Sequence, residues 1–338
     1  MKTLVTGGGG FLGSAIVRML HARGDEVAVL CRKSYAHIAA YVTRVFQGDL
    51  RDATAVRAAC KGVDVVFHVA ALTGIWGPKR EFHSINVEGT RNVIDACRAN
   101  GIAKLVYTSS PSVVFGRDEL CGVDESQPYP KRYLAAYPET KAAAERMVLA
   151  ANDSSLATVS LRPHLIWGPG DPHLIPRVIQ RAREGKLIQL GDGANLVDIT
   201  YIDNAAEAHV LAADALRPGA QCAGRTYFIS QGEPVSLWPW LNQILAAVGA
   251  PAVTRQVSAS AAYRVGALLE AAYRLVSARS EPRMTRFLAL QLAKSHYFDI
   301  SAARRDLGYK PRIGTPEGVG KLVAWLCQRG SNAGTKGP

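Results

Sequence analysis

Short runs rich in Val, Leu and aromatic residues recur at residues 2–6, 26–31, 64–68, 105–109 and 158–162, and they read as strands. Helical patterns lie between them, near 11–22, 52–60, 83–99 and 139–151. Strand alternating with helix implies a parallel sheet covered by helices on both faces. In such folds the reacting groups gather at the carboxyl ends of the strands. After Pro163 the pattern changes. Helical stretches near 173–184, 204–216 and 236–248 alternate with short strands near 197–202 and 225–230, and 257–293 reads as wholly helical. The expectation is an α/β chain with a doubly wound parallel sheet over 1–165, to which segments near 197–230 return. A smaller, mostly helical lobe over 166–328 follows, with a loose tail over 331–338.

Composition narrows the class. With 48% apolar and 20% charged residues among 338, the chain is globular rather than disordered. No apolar stretch approaches the ~18 residues of a membrane span, and the N-terminus runs straight into a glycine loop without a signal-peptide core. The six cysteines form no CxxC pair, which suits a reduced, cytoplasmic protein with no bound metal. The formal charge of +12 suits anionic ligands or acidic membrane surfaces, or an ordinary basic surface. Its basic residues are scattered, with no zinc finger or aromatic RNA-binding signature, so nucleic acid is not expected as a partner.

The chemistry is concentrated in a few motifs. Thr6-Gly7-Gly8-Gly9-Gly10-Phe11-Leu12-Gly13 follows a strand and opens a helix, with Gly-x-x-Gly-x-x-Gly spacing. Glycines there permit a tight turn and close approach of backbone to a pyrophosphate, and the helix N-terminus offers unpaired N–H groups to the anion. A dinucleotide site usually places an acid after the second strand when it selects NAD. Arg32 and Lys33 stand there instead, either as two solvated charges or as cations for the 2′-phosphate of NADP(H). Asp49, beside Leu50, is read as an acceptor for an adenine amino group or as a helix cap, a role that Asp52 fits better. Tyr137-Pro138-Glu139-Thr140-Lys141 puts a phenol and an ammonium one helical turn apart. The ammonium is expected to lower the phenol's pKa and so to assist proton exchange. Thr108-Ser109-Ser110 ends a strand with hydroxyls suited to a substrate carbonyl, or serves as an ordinary turn.

Further segments give the pattern a family. They include His68-Val69-Ala70-Ala71, Asn86-Val87-Glu88-Gly89-Thr90, Leu161-Arg162-Pro163 leading to Gly168-Pro169-Gly170-Asp171, Tyr201-Ile202-Asp203-Asn204 with Ala208-His209, and Asp306-Leu307-Gly308-Tyr309-Lys310-Pro311. Over about residues 1–328 the chain resembles the extended short-chain dehydrogenase/reductases with their Rossmann-type fold. Within them it resembles the 3β-hydroxysteroid dehydrogenase-like branch, and there the reductases of bacterial long-chain olefin biosynthesis. Pro111-Ser112 replaces the paired acids of sugar-nucleotide dehydratases, and the missing acid after strand two separates the chain from epimerases that keep NAD bound.

The resemblance implies NADPH-dependent reduction of the 3-keto group of a hydrophobic 2-alkyl-3-oxoalkanoic acid to the 3-hydroxy acid. It implies Ser110, Tyr137 and Lys141 as catalytic residues, with Ser109 the alternative hydroxyl. The cofactor residues it implies are Gly7, Gly10, Phe11, Leu12, Gly13, Arg32, Lys33, Asp49, Leu50, Ala70, Ala71, Tyr137, Lys141 and Pro163. It further implies a homodimer through the helices near 83–99 and 139–151, and contact with other olefin-pathway enzymes. A sterol dehydrogenase and a non-catalytic redox sensor are the rival readings.

Other residues stay open. His164 is read as touching cofactor through its backbone, and Trp76 and Trp167 as cavity lining or core. In 259–277, Val265, Leu268, Leu269, Ala272 and Val276 form one apolar stripe, flanked by six arginines between Arg255 and Arg286 and only two acids. It reads as a wall of a long-chain substrate cavity, as a peripheral membrane contact, or as plain packing.

Overall fold

A computed structural model describes residues 1–333 other than 173 and 277. Its main sheet is built from β1 (Lys2–Thr6), β2 (Glu26–Cys31), β3 (Arg44–Gln47), β4 (Val65–His68), β5 (Lys104–Thr108), β7 (Ala157–Pro163) and β12 (Arg225–Ile229). All neighbours are parallel, in the order β12-β7-β5-β4-β1-β2-β3. The chain starts at β1, adds β2 and β3 on one side, then crosses to β4 on the other. That reversal leaves a crevice beyond the carboxyl ends of β1 and β4.

Helices cover both faces, so the inner strands are buried along almost their whole length and each face has its own core. Alternation along a strand divides the side chains between them. Leu4, Val66, Leu105 and Tyr107 pack toward α2 (Ala53–Ala59), α4 (Gly89–Ala99) and α5 (Ala136–Ala150). Val5, Phe67 and Val106 point the other way, toward α1 (Phe11–Ala22) and α7 (Ile202–Ala215). The short α3 (Lys79–His83) leads through a π-helical turn at Ser84–Glu88 into α4. Asp52, not Asp49, caps α2, its carboxylate accepting from the amides of Thr54 and Ala55.

The remaining elements form the smaller lobe. A second sheet joins β6 (Leu120–Val123), β10 (Leu196–Val197), β13 (Val235–Ser236) and β15 (His296–Phe298) in the order β13-β10-β15-β6. Two-stranded pairs join β8 (Ile166–Trp167) to β11 (Thr200–Tyr201), and β9 (Gln189–Leu190) to β14 (Gln256–Val257). Around them lie α6 (Leu174–Arg183), α8 (Leu237–Ala247), α9 (Ala259–Leu275), α10 (Arg286–Ala293), α11 (Ser301–Leu307) and α12 (Thr315–Ala333). α12 buries Val319 and Leu322 and runs to Ala333, so the helix takes in the first three residues of the expected tail; residues 334–338 lie outside the described residues.

Two sequence expectations fail in this lobe, for physical reasons. The 257–293 segment is two helices rather than one. Pro282 removes a backbone donor and disfavours helix at Glu281, and the chain restarts at Thr285, whose hydroxyl caps α10 by accepting from the Leu288 amide. The apolar stripe of α9 is not its packing face. Ala262, Gly266 and Glu270 are the buried positions, while Val265, Leu268 and Val276 are exposed. A Cβ at Gly266 would stand 2.6 Å from the Thr285 carbonyl carbon, so the two backbones meet at a bare glycine. Beside it, Glu270 accepts from the Arg286 amide at 2.7 Å and from its guanidinium at 2.7 and 3.0 Å.

Gly266→Ala should therefore push α9 off α10 and lower the stability of the fold by about 1–3 kcal/mol in urea unfolding. Gly320→Ala in α12, where a Cβ meets nothing within 4 Å, should be neutral or stabilise by up to about 1 kcal/mol. Equal effects at the two glycines would contradict the close-approach account.

Candidate active site

The crevice at the sheet's switch point is a cleft of about 580 Å³. Its floor is the glycine loop. Gly7 has φ +70°, and a Cβ there would lie 2.9 Å from the Ala70 backbone; a Cβ on Gly13 would lie 2.2 Å from the Gly7 carbonyl oxygen. These contacts hold the loop flat against β4 and the start of α1. α1 begins at Gly10 with no side-chain cap and no acid in its first turn, so its amide donors and positive dipole end face the cleft. This is the cradle a dinucleotide pyrophosphate needs.

The cleft walls bring together Gly7, Gly10, Phe11, Leu12, Gly13, Arg32, Asp49, Leu50, Ala70, Ala71, Ser110, Tyr137, Lys141 and Pro163. Lys33 is not among the wall residues; its ammonium stands 5.4 Å from the centre of the Tyr35 ring. Asp49 lines the cleft, but its carboxylate already grips the Arg51 guanidinium at 2.9 and 2.8 Å. That pairing holds Asp49 down to about 2.

A chain of buried hydrogen bonds fixes the crevice. Thr90 Oγ1 donates to the Asn86 carbonyl at 2.6 Å, so it accepts from His68 Nε2 at 3.0 Å. His68 Nδ1 then accepts from the Thr6 hydroxyl at 2.8 Å, and the Ala70 amide donates to that same hydroxyl. Burial holds the His68 imidazole at about 3, neutral as this chain requires. Asn86 clasps the next loop with both ends of its amide, accepting from the Leu72 N–H at 2.7 Å and donating to the Leu72 carbonyl at 3.1 Å. It also reaches Thr140 on α5. The π-helical turn that carries Asn86 is therefore pinned between the cleft wall and the helix of Tyr137.

Tyr137 and Lys141 sit in the first turns of α5 at the carboxyl end of β5. Lys141 is buried, donates to the Thr108 carbonyl at 2.5 Å, and lies 4.1 Å from the centre of the Tyr107 ring. Burial lowers its ammonium to about 7, against the pull of Glu145 one turn further along. Glu145 forms a fully buried ion pair with Arg162 at 2.6 Å and accepts from Ser160 and Tyr129. Thr108 is held in turn: its hydroxyl donates to His209 Nε2, because His209 Nδ1 donates to the Ala205 carbonyl.

The expected lowering of the Tyr137 phenol is not what this environment produces. Burial pushes it up to about 12, and a hydrogen bond from Ser110 is the opposing influence. Tyr137 is therefore a protonated phenol across the neutral range, poised to give a proton rather than take one. Both serines line the cleft; the Ser110 hydroxyl is the one that bears on the phenol, while Ser109 is buried with its amide on the Leu161 carbonyl.

The fold also places the residues that the sequence left open. The His164 ring does not line the cleft, which leaves its expected backbone contact as it was. It donates through Nε2 to His296 Nδ1 at 2.6 Å, since His296 Nε2 donates to the Gln291 carbonyl, and burial keeps it neutral. Trp167 is wholly buried core. Trp76 points away from the cleft, to the Ala278 carbonyl. No residue of α9 lines the cleft, so it is not the cavity wall its stripe suggested; that stripe faces outward. The cleft instead takes apolar lining from Leu72, Ile85, Leu165, Ile166 and Pro172. Apart from Ile85 in the π-helical turn, these lie in loops or a two-residue strand, where no periodicity marks them. Glu145 carried a readable sign, its i+4 spacing from Lys141.

The Lys141 shift makes stability depend on pH. Between about 7 and the ordinary 10.5 the unfolded chain binds a proton that the folded chain does not, so this group's penalty is full below 7 and fades toward 10.5. Lys141→Met should raise the melting temperature by about 4 °C or more at pH 6, with the gain shrinking by pH 10. A pH-independent change would refute the buried-ammonium account.

Similarity to known proteins agrees with this geometry. Residues 4–257 match the model of the 3-beta hydroxysteroid dehydrogenase/isomerase family. The chain is 53% identical over 327 residues to a 2-alkyl-3-oxoalkanoate reductase of Stenotrophomonas maltophilia, covering 96% of this chain and 99% of that one. It is 51% identical over 330 residues to the enzyme of the same name from Shewanella oneidensis, covering 95% and 85%. Among solved structures, MoeE5 in complex with UDP-glucose and NAD superposes with a TM-score of 0.76 at 27% identity, covering 97% of this chain and 99% of that one. With a dinucleotide cradle and a Tyr-Lys pair in one cleft, the chain belongs to the 3-beta hydroxysteroid dehydrogenase/isomerase family, an oxidoreductase built around an NAD(P) site.

Proposed function

We propose that this protein reduces the 3-keto group of a hydrophobic 2-alkyl-3-oxoalkanoic acid to the 3-hydroxy acid, with NADPH as reductant. The observation that carries the reading is the meeting of Ser110, Tyr137 and Lys141 with the glycine cradle in one cleft, in a chain half identical to reductases of that name. Bound NADPH supplies the hydride for the carbonyl carbon. Tyr137 donates its phenolic proton to the carbonyl oxygen as that oxygen gains charge, so ketone, hydride and proton together make the alcohol. Ser110 hydrogen-bonds the same oxygen and fixes its place beside the phenol. Lys141, anchored on Thr108, holds the nicotinamide ribose and compensates the phenolate left on Tyr137. The loops bearing Leu72, Leu165 and Ile166 exclude water and receive the alkyl chains.

Selectivity for NADPH over NADH rests on Arg32, in the cleft wall at the end of β2 where no carboxylate stands to repel a 2′-phosphate. Lys33 adds charge from outside the wall. The same reading carries a homodimer through α4 and α5, and contact with other enzymes of olefin biosynthesis.

A panel of branched β-keto acids and 3-keto sterols, followed by NADPH absorbance, tests the substrate class. Turnover of the branched acids is expected, and turnover confined to sterols would replace this reading. Tyr137→Phe should leave NADPH binding near normal and cut turnover by ~10²-fold or more. Near-normal turnover would place the proton donor elsewhere. Arg32→Ala should raise KM for NADPH about tenfold and leave that for NADH almost unchanged, since a charged hydrogen bond contributes about 1.5–3 kcal/mol. Equal use of the two cofactors by the unaltered protein would remove the NADPH assignment.

A further inference from the structure

Among the described residues, four of the seven exposed large apolar side chains lie on α9 and its end: Val265 at 49%, Leu268 at 72%, Leu275 at 87% and Val276 at 71%. With 100° per residue, Leu268 and Leu275 stand opposite the buried Ala262, Gly266 and Glu270, and Val265 and Val276 lie together on one side of them. The helix therefore presents a continuous apolar face to its surroundings while packing inward through small residues and a carboxylate. A contiguous apolar face of this kind marks an interaction surface.

The charge around it is of one sign. Arg255, Arg264, Arg274, Arg279 and Arg283 are exposed. Both acids of the segment are already engaged: Glu270 is buried against Arg286, with Arg274 as a second contact at 3.5 Å, and Glu281 pairs with Arg177 at 2.8 Å. No described helix is long and apolar enough to cross a membrane. An apolar face rimmed by arginines with no uncompensated acid suits the boundary between acyl chains and anionic headgroups.

The face is also coupled to the cleft. The loop that lines the cleft with Leu72 and Thr73 continues to Trp76, whose indole N–H donates to the Ala278 carbonyl just past α9 at 3.1 Å. The Trp76 ring meets Tyr273 of α9 edge-on at 6.1 Å and lies under the Arg274 guanidinium. We propose that the outward face of α9 docks the protein on an anionic lipid surface, with Leu268, Leu275, Val265 and Val276 entering the acyl boundary and the arginines meeting lipid phosphates. Docking there would set the lip of the cleft beside the phase in which a long-chain acid collects. The benefit to substrate capture rests on the proposed substrate; lipid binding itself does not.

The test is sedimentation of the full chain with vesicles of phosphatidylcholine alone and of phosphatidylcholine with phosphatidylglycerol. Binding is expected to the anionic vesicles only, weakening as salt rises. Leu268→Glu/Leu275→Glu should reduce it at least tenfold, and Arg264→Glu/Arg279→Glu should reduce it while flattening the salt dependence. Both pairs are exposed, and an unchanged melting temperature and unchanged NADPH binding would show that the fold is intact. Tryptophan emission provides a second readout: its shift to shorter wavelength with anionic vesicles is expected in the unaltered protein and lost in Trp76→Phe and in Leu268→Glu/Leu275→Glu. No binding to anionic vesicles, or equal binding by the double glutamate variant, would overturn the proposal. So would a concentration-dependent dimer in sedimentation velocity that the same variant abolishes, because the face would then belong to a second copy. Each outcome is read without turnover, so it is independent of the substrate assignment.

Discussion

An ammonium taken out of water must be repaid by the groups around it, and Lys141 is buried at the centre of the cleft. Its repayment is spread over three elements of the main sheet layer. β5 supplies the Thr108 carbonyl and the face of the Tyr107 ring, and α5 supplies Glu145 one turn on. β7 supplies Arg162 and Ser160, which keep the Glu145 carboxylate charged in a place where burial alone would neutralise it. The packing of α5 on β5 and β7 is thus also the electrostatic setting of the Tyr-Lys pair, and a shift of α5 would uncouple all of these contacts together.

The environment then separates the two groups by role. Burial pushes both toward their neutral forms, but neutrality means a held proton for the phenol and a shed one for the amine. Glu145 works against this at Lys141, and Ser110 against it at Tyr137. The result is a proton donor that keeps its proton at neutral pH beside an amine close to its titration point.

The smaller lobe follows a different logic. Where the main sheet is filled by Val, Leu and Phe on both faces, α9 meets α10 through Gly266 and a carboxylate. Backbone contact at a glycine, reinforced by a carboxylate bonded to a helix's first amide and its arginine, outweighs the burial of a few aliphatic side chains. Those side chains turn outward, beside arginines with no free acid to compensate them.

The sequence by itself determined the doubly wound sheet, because strands buried on both faces must alternate with amphipathic helices, and it located the glycine cradle and the Tyr-Lys pair. These signals are local: a φ of +70° at Gly7, a helix opening without a cap at Gly10, an i+4 pair on α5. Ser110, Arg32 and Pro163 could be placed for the same reason, each at or just past the carboxyl end of a strand that points into the crevice. Two departures are local: Lys33 stands over Tyr35 and Asp49 grips Arg51, each with a partner two residues along the chain. Tertiary structure alone decided the rest. The pKa of Tyr137 was raised by burial, a property of the assembled layers rather than of the Tyr-x-x-x-Lys spacing. The stripe on α9 shows the limit most plainly. Periodicity reports which residues share a helix face, but which face goes inward depends on what the rest of the chain brings to it, here the backbone of Thr285 and the guanidinium of Arg286.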